Sequence, residues 1–309
     1  MTPDFYKLGL GQPFLISALN GTGTGDLLDE IVKKLPTKKS DKTRYDFRLS
    51  IIGKTNVGKS SILNALLGEE RVIVTPLPHT TREPQDTLIK FKGKHLLLVD
   101  TAGLRKKRKI TDPIEVIGAK KTLDTIKKSD ISLFIADISQ PLTSQDQNIA
   151  KLALENQNGI IIVVNKWDLI AKKDSRTMDK YIEYYQRYFP GLWWAPIIFI
   201  SALAKQRINK LLPLALNIQK QRQRLIDNSE LKQFTKEVIK LKKAKPSKGK
   251  KQAIIYRFEQ TSTSPPSFTL LVNHSERIHP SYLNLLEKKL RAKFGFIGTP
   301  INITLKEGR

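Results

Sequence analysis

The sequence of 309 residues contains no cysteine, which removes disulfides, thiolate metal sites and cysteine nucleophiles from consideration together. Long apolar runs are missing too. The longest, at residues 160–165 and 197–200, fall far short of the roughly 20 residues needed to cross a bilayer, so no membrane contact is expected. Residues 1–11 show neither a cationic start nor an apolar stretch ending in a small-residue cleavage site, and the expected location is cytoplasmic. Acidic residues are the scarce charge: 29 Asp plus Glu stand against 54 Lys plus Arg, leaving a formal +25. Such an excess suits a polyanionic partner; a surface solvated by lysine is the alternative. What is present describes a folded chain. Hydrophobic residues make up 39% and charged residues 27%, which excludes wholesale disorder and collagen-like structure, and the length suggests about two domains.

Apolar runs of strand length at residues 47–52, 96–99, 131–135, 160–164 and 197–200 alternate with helical patterns at 60–67, 145–155 and 179–188. This alternation predicts a mostly parallel sheet covered by helices, closed by a helix over 211–225. After residue 225 a basic helix runs into a lysine-rich stretch, 240–251, broken by Pro246 and Gly249, which reads as a surface linker or loop. A strand (253–258), a turn at Pro265 and Pro266, a strand (268–272), a helix (280–293) and a strand (301–305) then form a small α+β module. Ahead of the sheet, residues 14–17 read as a strand and 24–35 as a helix, too little to close a core alone. Ser17-Ala18-Leu19 recurs as Ser201-Ala202-Leu203, each after an apolar strand and before a helix, which points to an internal repeat.

Gly53-Lys54-Thr55-Asn56-Val57-Gly58-Lys59-Ser60 satisfies G-x-x-x-x-G-K-[ST] between an expected strand and helix. Its glycines would let backbone N–H groups wrap phosphates, Lys59 would reach the β and γ phosphates, and Ser60 would ligate Mg²⁺; Ser61 completes the phosphate-binding run. The following helix adds a favourable dipole for the anion. Asp100-Thr101-Ala102-Gly103 ends a strand, which would let Asp100 hold Mg²⁺ through water and bring the Gly103 N–H, with Leu104 behind it, to the γ-phosphate. Asn165-Lys166-Trp167-Asp168 also follows a strand. Asp168 can accept from guanine N1 and N2, whereas adenine offers no matching donors and would leave the carboxylate unpaired. Asn165 and the Lys166 stem would tie this loop to the phosphate loop, and Ser201-Ala202-Leu203 would complete the base pocket. Trp193 and Trp194 read as packing residues, and nothing in the sequence gives His274 or His279 metal-ligating partners.

These motifs, in this order, resemble the translation-factor-like P-loop GTPases. Trp167 in the guanine motif, Leu104-Arg105 after the Asp100 motif, and the final module ending Gly298-Thr299-Pro300 narrow the resemblance to the Der, or EngA, family. The resemblance covers nearly the whole chain and implies an α/β P-loop GTPase domain with a mostly parallel sheet, followed by a small α+β KH-like domain. It places the last strand and helix of a first GTPase domain plus a linker at 1–39, a second GTPase domain at 40–225 and the KH-like domain at 226–309. The phosphate loop, switches and guanine motif of a first domain do not occur in this sequence, so one complete nucleotide site is expected. The resemblance also implies GTP and GDP as ligands, hydrolysis of GTP, and action on the large ribosomal subunit or its precursor through ribosomal RNA. A nucleotide-binding protein without turnover and a GTPase of tRNA modification are the competing functions; the latter class resembles this chain only over residues 47–205.

By the same resemblance, switch I is Thr75-Pro76-Leu77-Pro78-His79-Thr80-Thr81-Arg82, with Thr81 completing the Mg²⁺ shell in the GTP state. The family's G-T-T-R-D reads His79-Thr80-Thr81-Arg82-Glu83 here. Position 104 carries Leu where many small GTPases carry a water-orienting Gln. Relatives hold a potassium ion partly through an Asn at the place of Asn56, which implies potassium-stimulated hydrolysis. Arg105, Lys106, Lys107 and Arg108 are candidates for that charge-neutralising task or for RNA contact. Gly295-Phe296-Ile297-Gly298 matches the KH G-x-x-G pattern, but it precedes a strand instead of joining two helices, so an RNA clamp is not expected. Lys288, Lys289, Arg291, Lys293 and the 240–251 stretch offer phosphate contacts without sequence readout.

Overall fold

A computed structural model describes residues 9, 13–34, 45–75, 86–105, 115–171, 173–174, 176–241 and 253–308. The chain divides into two units, Met1–Arg44 and Tyr45–Arg309. In the first, α1 (Thr24–Lys34) carries its apolar residues on one side, yet none of its residues is buried. The expected strand at 14–17 does not form. No neighbouring strand among the unit's described residues offers it a ladder, and an unpaired strand leaves its backbone groups unsatisfied. A turn forms instead, in which the Ser17 N–H donates to the Thr22 carbonyl at 2.9 Å and the Gly21 N–H to the Ser17 carbonyl at 2.9 Å.

The second unit runs β1 (Phe47–Ile52), α2 (Lys59–Leu67), β2 (Ile73–Thr75), β3 (Thr87–Phe91), β4 (Lys94–Leu98), α3 (Thr101–Arg105), α4 (Glu115–Lys127), β5 (Ile131–Asp137), α5 (Ser144–Glu155), β6 (Gly159–Asn165), α6 (Thr177–Tyr188), β7 (Ile197–Phe199) and α7 (Leu211–Arg222). Its strands form one sheet in the order β2-β3-β4-β1-β5-β6-β7. β4 through β7 are parallel in that order, while β2 and β3 join antiparallel at one edge. The β3–β4 hairpin turns at Lys92 and Gly93, whose φ values of 48° and 75° are those of a two-residue turn suited to the strand twist. Nothing in the 3.6- or 2-residue periodicity marks it, which is why it is absent from the sequence reading. β1, β5 and β6 are buried on both faces, as parallel strands between helical layers must be. One apolar cluster lies under α2 and α7, the other under α4, α5 and α6.

α8 (Asn228–Leu241), β8 (Ile255–Ser262), β9 (Ser267–Val272), α9 (Pro280–Phe294) and β10 (Asn302–Glu307) follow. The three strands make a second sheet in the order β10-β9-β8, with β9 and β10 parallel across α9. Phe234, Phe258, Phe268, Leu290 and Phe294 fill its own core. Among the described residues no helix is long and apolar enough to cross a membrane.

Candidate nucleotide site

The loop between β1 and α2 demands glycine at two points. Gly53 and Gly58 have φ values of 143° and 99°, and a Cβ would lie 2.5 Å from the Ile135 carbonyl oxygen at the first and 2.3 Å from Asn165 Nδ2 at the second. Val57 is fully buried and anchors the loop in the core, while Thr55, Asn56, Ser60 and Ser61 are exposed. Asn56 itself adopts a left-handed φ of 63°, which Asn tolerates better than most residues. The loop thus turns outward around its polar side chains.

Lys59 lies at the centre of this curve. Its ammonium donates to the carbonyls of Gly53, at 2.8 Å, and Lys54. No carboxylate among the described residues pairs with it. Burial pushes its pKa down to about 8, because a desolvated cation without a counter-charge is disfavoured. A phosphate group would supply the missing negative charge, so these residues fit a polyphosphate.

The guanine loop is tied off differently. Asn165, at the end of β6, is buried; its Nδ2 donates to the Val57 carbonyl at 2.9 Å, and its Oδ1 accepts from the Ala202 N–H at 3.1 Å. One side chain therefore joins the phosphate loop, the Asn165-Lys166-Trp167-Asp168 loop and the Ser201-Ala202-Leu203 turn. Lys166, at a left-handed φ of 65°, places its ammonium 2.6 Å from Asp137 Oδ2 at the end of β5. Burial works against the ionised Asp137 carboxyl, but Lys166 and the Ser139 hydroxyl and N–H outweigh it and hold its pKa below the usual range. Asp137 is absent from the sequence reading; a carboxylate ending a central strand of a parallel sheet is the signal that finds it. Trp167 sits in the core, 4.8 Å from the Phe199 ring and 6.1 Å from that of Tyr181, and its backbone N–H donates to the Ile200 carbonyl at 3.0 Å. Asp168 remains exposed. Ser201 is buried, with its Oγ accepting from the Ala204 N–H at 3.0 Å, and Leu203 is exposed.

Asp100 stands between β4 and α3. Its carboxylate lies 3.1 Å from the Lys121 ammonium of α4, and its N–H donates to Asp86 at 2.8 Å. Thr101 is buried, sharing a 2.7 Å hydrogen bond with Thr87, and Leu104 packs on the core beneath α2. Ser60 and Asp100 are hard oxygen donors of the type that suits Mg²⁺. Lys121 holds the Asp100 carboxylate in this arrangement. Thr80, Thr81, Lys106, Lys107 and Arg108 lie outside the described residues, as does most of the 240–251 stretch.

Comparison with known proteins decides the class. A family model described as 50S ribosome-binding GTPase matches residues 48–166, and one described as the KH-domain-like C-terminal part of EngA bacterial GTPase enzymes matches residues 226–306. GTPase Der of Alkaliphilus oremlandii is 43% identical over 307 residues, which is 98% of this chain and 69% of the relative. The Moorella thermoacetica relative, also GTPase Der, is 41% identical over 309 residues, or 100% of this chain and 70% of its own. The chain belongs to the GTPase Der family. It is a GTP-binding P-loop GTPase with a KH-like domain. Solved structures are more distant: an Aquifex aeolicus Era variant with bound GDP and aluminium fluoride is 19% identical with a TM-score of 0.42, covering 84% of this chain and 92% of its own. A GTP-binding protein from Sulfolobus solfataricus in complex with GDP is 21% identical with a TM-score of 0.43, covering 64% and 58%.

In the KH-like part of this family member, the Gly295-Phe296-Ile297-Gly298 loop is committed to packing. The Gly298 carbonyl accepts from the Ile160 N–H at 2.8 Å, and its N–H donates to the Trp194 carbonyl at 3.1 Å. A Cβ at Gly298 would lie 2.3 Å from Ile218 Cδ1. Phe296 is fully buried, with its N–H on Gln221 Oε1 at 2.8 Å. These backbone groups face the larger sheet and its closing helix. Arg291, expected as a surface phosphate contact, is buried beside them. Its guanidinium donates to the Phe296 and Thr299 carbonyls and to Glu287, and lies 5.4 and 5.1 Å from the Trp193 and Trp194 rings. The helical period turns 290, 291 and 294 inward together. Burial lowers the Arg291 pKa, with Glu287 partly opposing the change. Lys288 and Lys289 remain exposed, and Lys293 pairs with Glu237 at 2.8 Å. The fold also brings exposed Glu276 and Glu307 beside His274, with ligand atoms within 4.8 Å, and the His279 ring accepts from the Ser281 N–H at the start of α9.

Proposed function

We propose that this chain is a guanine-specific, Mg²⁺-dependent GTPase switch acting on the large ribosomal subunit or its precursor in the cytoplasm. The observation that carries the reading is the half-buried Lys59 ammonium, without a carboxylate partner among the described residues, in a loop that Asn165 joins to the guanine and Ser201-Ala202-Leu203 segments. In this reading residues 53–61 and 100–104 take the phosphates, Lys59 bridges the β and γ groups, and Asp168 accepts from guanine N1 and N2. Ser60 would hold Mg²⁺, Asp100 through water, with Thr81 added in the GTP state, and the ion would supply neutralising charge at the β and γ phosphates. These residues hold the nucleotide and order the switches around the γ-phosphate; hydrolysis releases them. Leu104 has no polar group with which to orient water; by resemblance to relatives Asn56 would hold a potassium ion, which would supply charge neutralisation at the phosphates, with Arg105, Lys106, Lys107 and Arg108 as the alternative.

Residues 1–39 are read as the end of a first GTPase domain plus a linker, represented by α1 without the expected strand, 40–225 as the second GTPase domain and 226–309 as its KH-like domain. Lys288 and Lys289, with the chain's formal +25, support contact with ribosomal RNA through phosphates. The 50S ribosome-binding description of the matching family model supports the large subunit as partner. The test is GTP turnover by the purified chain in potassium and in sodium buffer, with and without large ribosomal subunits. Stimulation by both potassium and subunits is expected. GTP binding without turnover under every condition overturns the switch.

A further inference from the structure

The second residue of the phosphate loop is tied to a helix that touches no assigned ligand. The Lys54 ammonium lies 2.8 Å from Asp146 Oδ2 in the first turn of α5, and donates to Thr143 Oγ1 at 3.3 Å. The Asp146 side chain is 0% exposed and that of Lys54 only 14%, although the next two loop residues face solvent. Asp146 Oδ2 also accepts from the Thr143 N–H at 2.8 Å and its hydroxyl at 3.1 Å, while its Oδ1 has no hydrogen-bond partner among the described residues. The Lys54 carbonyl, meanwhile, accepts from the Lys59 ammonium. One residue thus holds α5 with its side chain and Lys59 with its backbone.

We infer that Lys54 is a positioning residue for phosphoryl transfer, its ion pair with Asp146 fixing the carbonyl that sets the place of the Lys59 ammonium. The inference rests on the phosphate-loop reading of residues 53–61. A charged pair out of water is a costly way to gain stability, since well-packed neutral groups serve as well or better. It is a strong way to fix an orientation. Lys59 must meet charge that develops on the transferring group, and a small misplacement there weakens transition-state contacts more than ground-state binding.

Removing one partner leaves a buried charge unpaired and risks unfolding, so the decisive variant neutralises both. Lys54→Met/Asp146→Asn is compared with the unchanged chain, with Lys54→Arg and with Lys59→Met, reading thermal stability, GDP affinity and GTP turnover in potassium buffer. The double variant is expected to melt within a few degrees of the unchanged chain and to keep KM within threefold while kcat falls tenfold or more; Lys54→Arg, which keeps the pair, is expected to retain kcat within threefold. An unchanged kcat in the folded double variant overturns the positioning role. So does equal loss of kcat in the double variant and in Lys54→Arg. If Lys59→Met retains turnover, the phosphate-loop reading itself fails, and the two failures are thereby distinguished.

Discussion

The phosphate loop and the guanine loop leave neighbouring regions of the same sheet, at the ends of β1 and β6, but they are finished to different degrees. Around Asn165 and Lys166 the protein satisfies itself: both ends of the Asn165 amide are bonded, and Lys166 has Asp137. Around Lys59 it does not, because among the described residues the half-buried ammonium meets only carbonyl oxygens. The proposed base end is preorganised by the chain, whereas the proposed phosphate end holds a charge that a ligand would complete. On the proposed reading, specificity and affinity are thus placed in different loops.

The largest effect that sharpens this contrast comes from Lys59→Met. Removing the ammonium should weaken GDP and GTP binding on the order of 100-fold or more, since several charge-assisted hydrogen bonds are lost. The nucleotide-free protein should melt at the same temperature or higher, because the variant also removes a desolvated cation. Calorimetric titration beside thermal unfolding measures both. A clear drop in nucleotide-free melting temperature would break the comparison by showing that the phosphate loop depends on Lys59 for its own stability.

Asn165→Ala should behave in the opposite way. It leaves the Val57 carbonyl and the Ala202 N–H without their partner in a buried setting, at a cost of about 2–4 kcal/mol in unfolding free energy. Nucleotide affinity should fall on the order of 10-fold or more as the guanine loop loosens. Denaturant unfolding without nucleotide is the deciding measurement, and unchanged stability would show that Asn165 is not the tie the geometry makes it.

Much of this contrast is legible in the sequence, because the loops follow apolar strands and their residue types are dictated by chemistry. Gly53, Gly58, Lys59, Asn165 and Asp168 can be located without coordinates. Their partners cannot. Asp137 and Asp146 are ordinary acidic residues in the sequence, and only the pairing of β5 with β6 and the packing of α5 bring them to Lys166 and Lys54. The Ser-Ala-Leu repeat teaches the same limit. Ser201-Ala202-Leu203 follows a paired β7, and α7 buries Leu211, Leu212, Ala215 and Ile218. Ser17-Ala18-Leu19 follows no strand, and α1 buries nothing. Local pattern is enough for a helix and a turn, while a strand also needs a neighbour to pair with. Arg291 fails for a related reason: its basic character is visible, but the turn of α9 that carries it inward depends on Trp193, Trp194 and the 295–299 loop.

The smallest effect is a proton. Free Lys59 has a pKa lowered to about 8 from 10.5 by burial. In the nucleotide-free protein the unfolded chain therefore binds more protons between these values, so stability should rise with pH from about 8 toward 10.5. Nucleotide affinity should move the other way. Phosphates favour the charged ammonium, so binding is unpenalised below pH 8 and requires proton uptake above it, weakening by about tenfold for each further pH unit. GDP titrations from pH 7 to 9 should show this bend in the unchanged chain, with proton uptake appearing as a buffer-dependent heat. Lys59→Met supplies the control, since its weaker binding should lack the bend. A matching bend in that variant would assign the titration to another group and remove the frustrated cation from the comparison of the two loops.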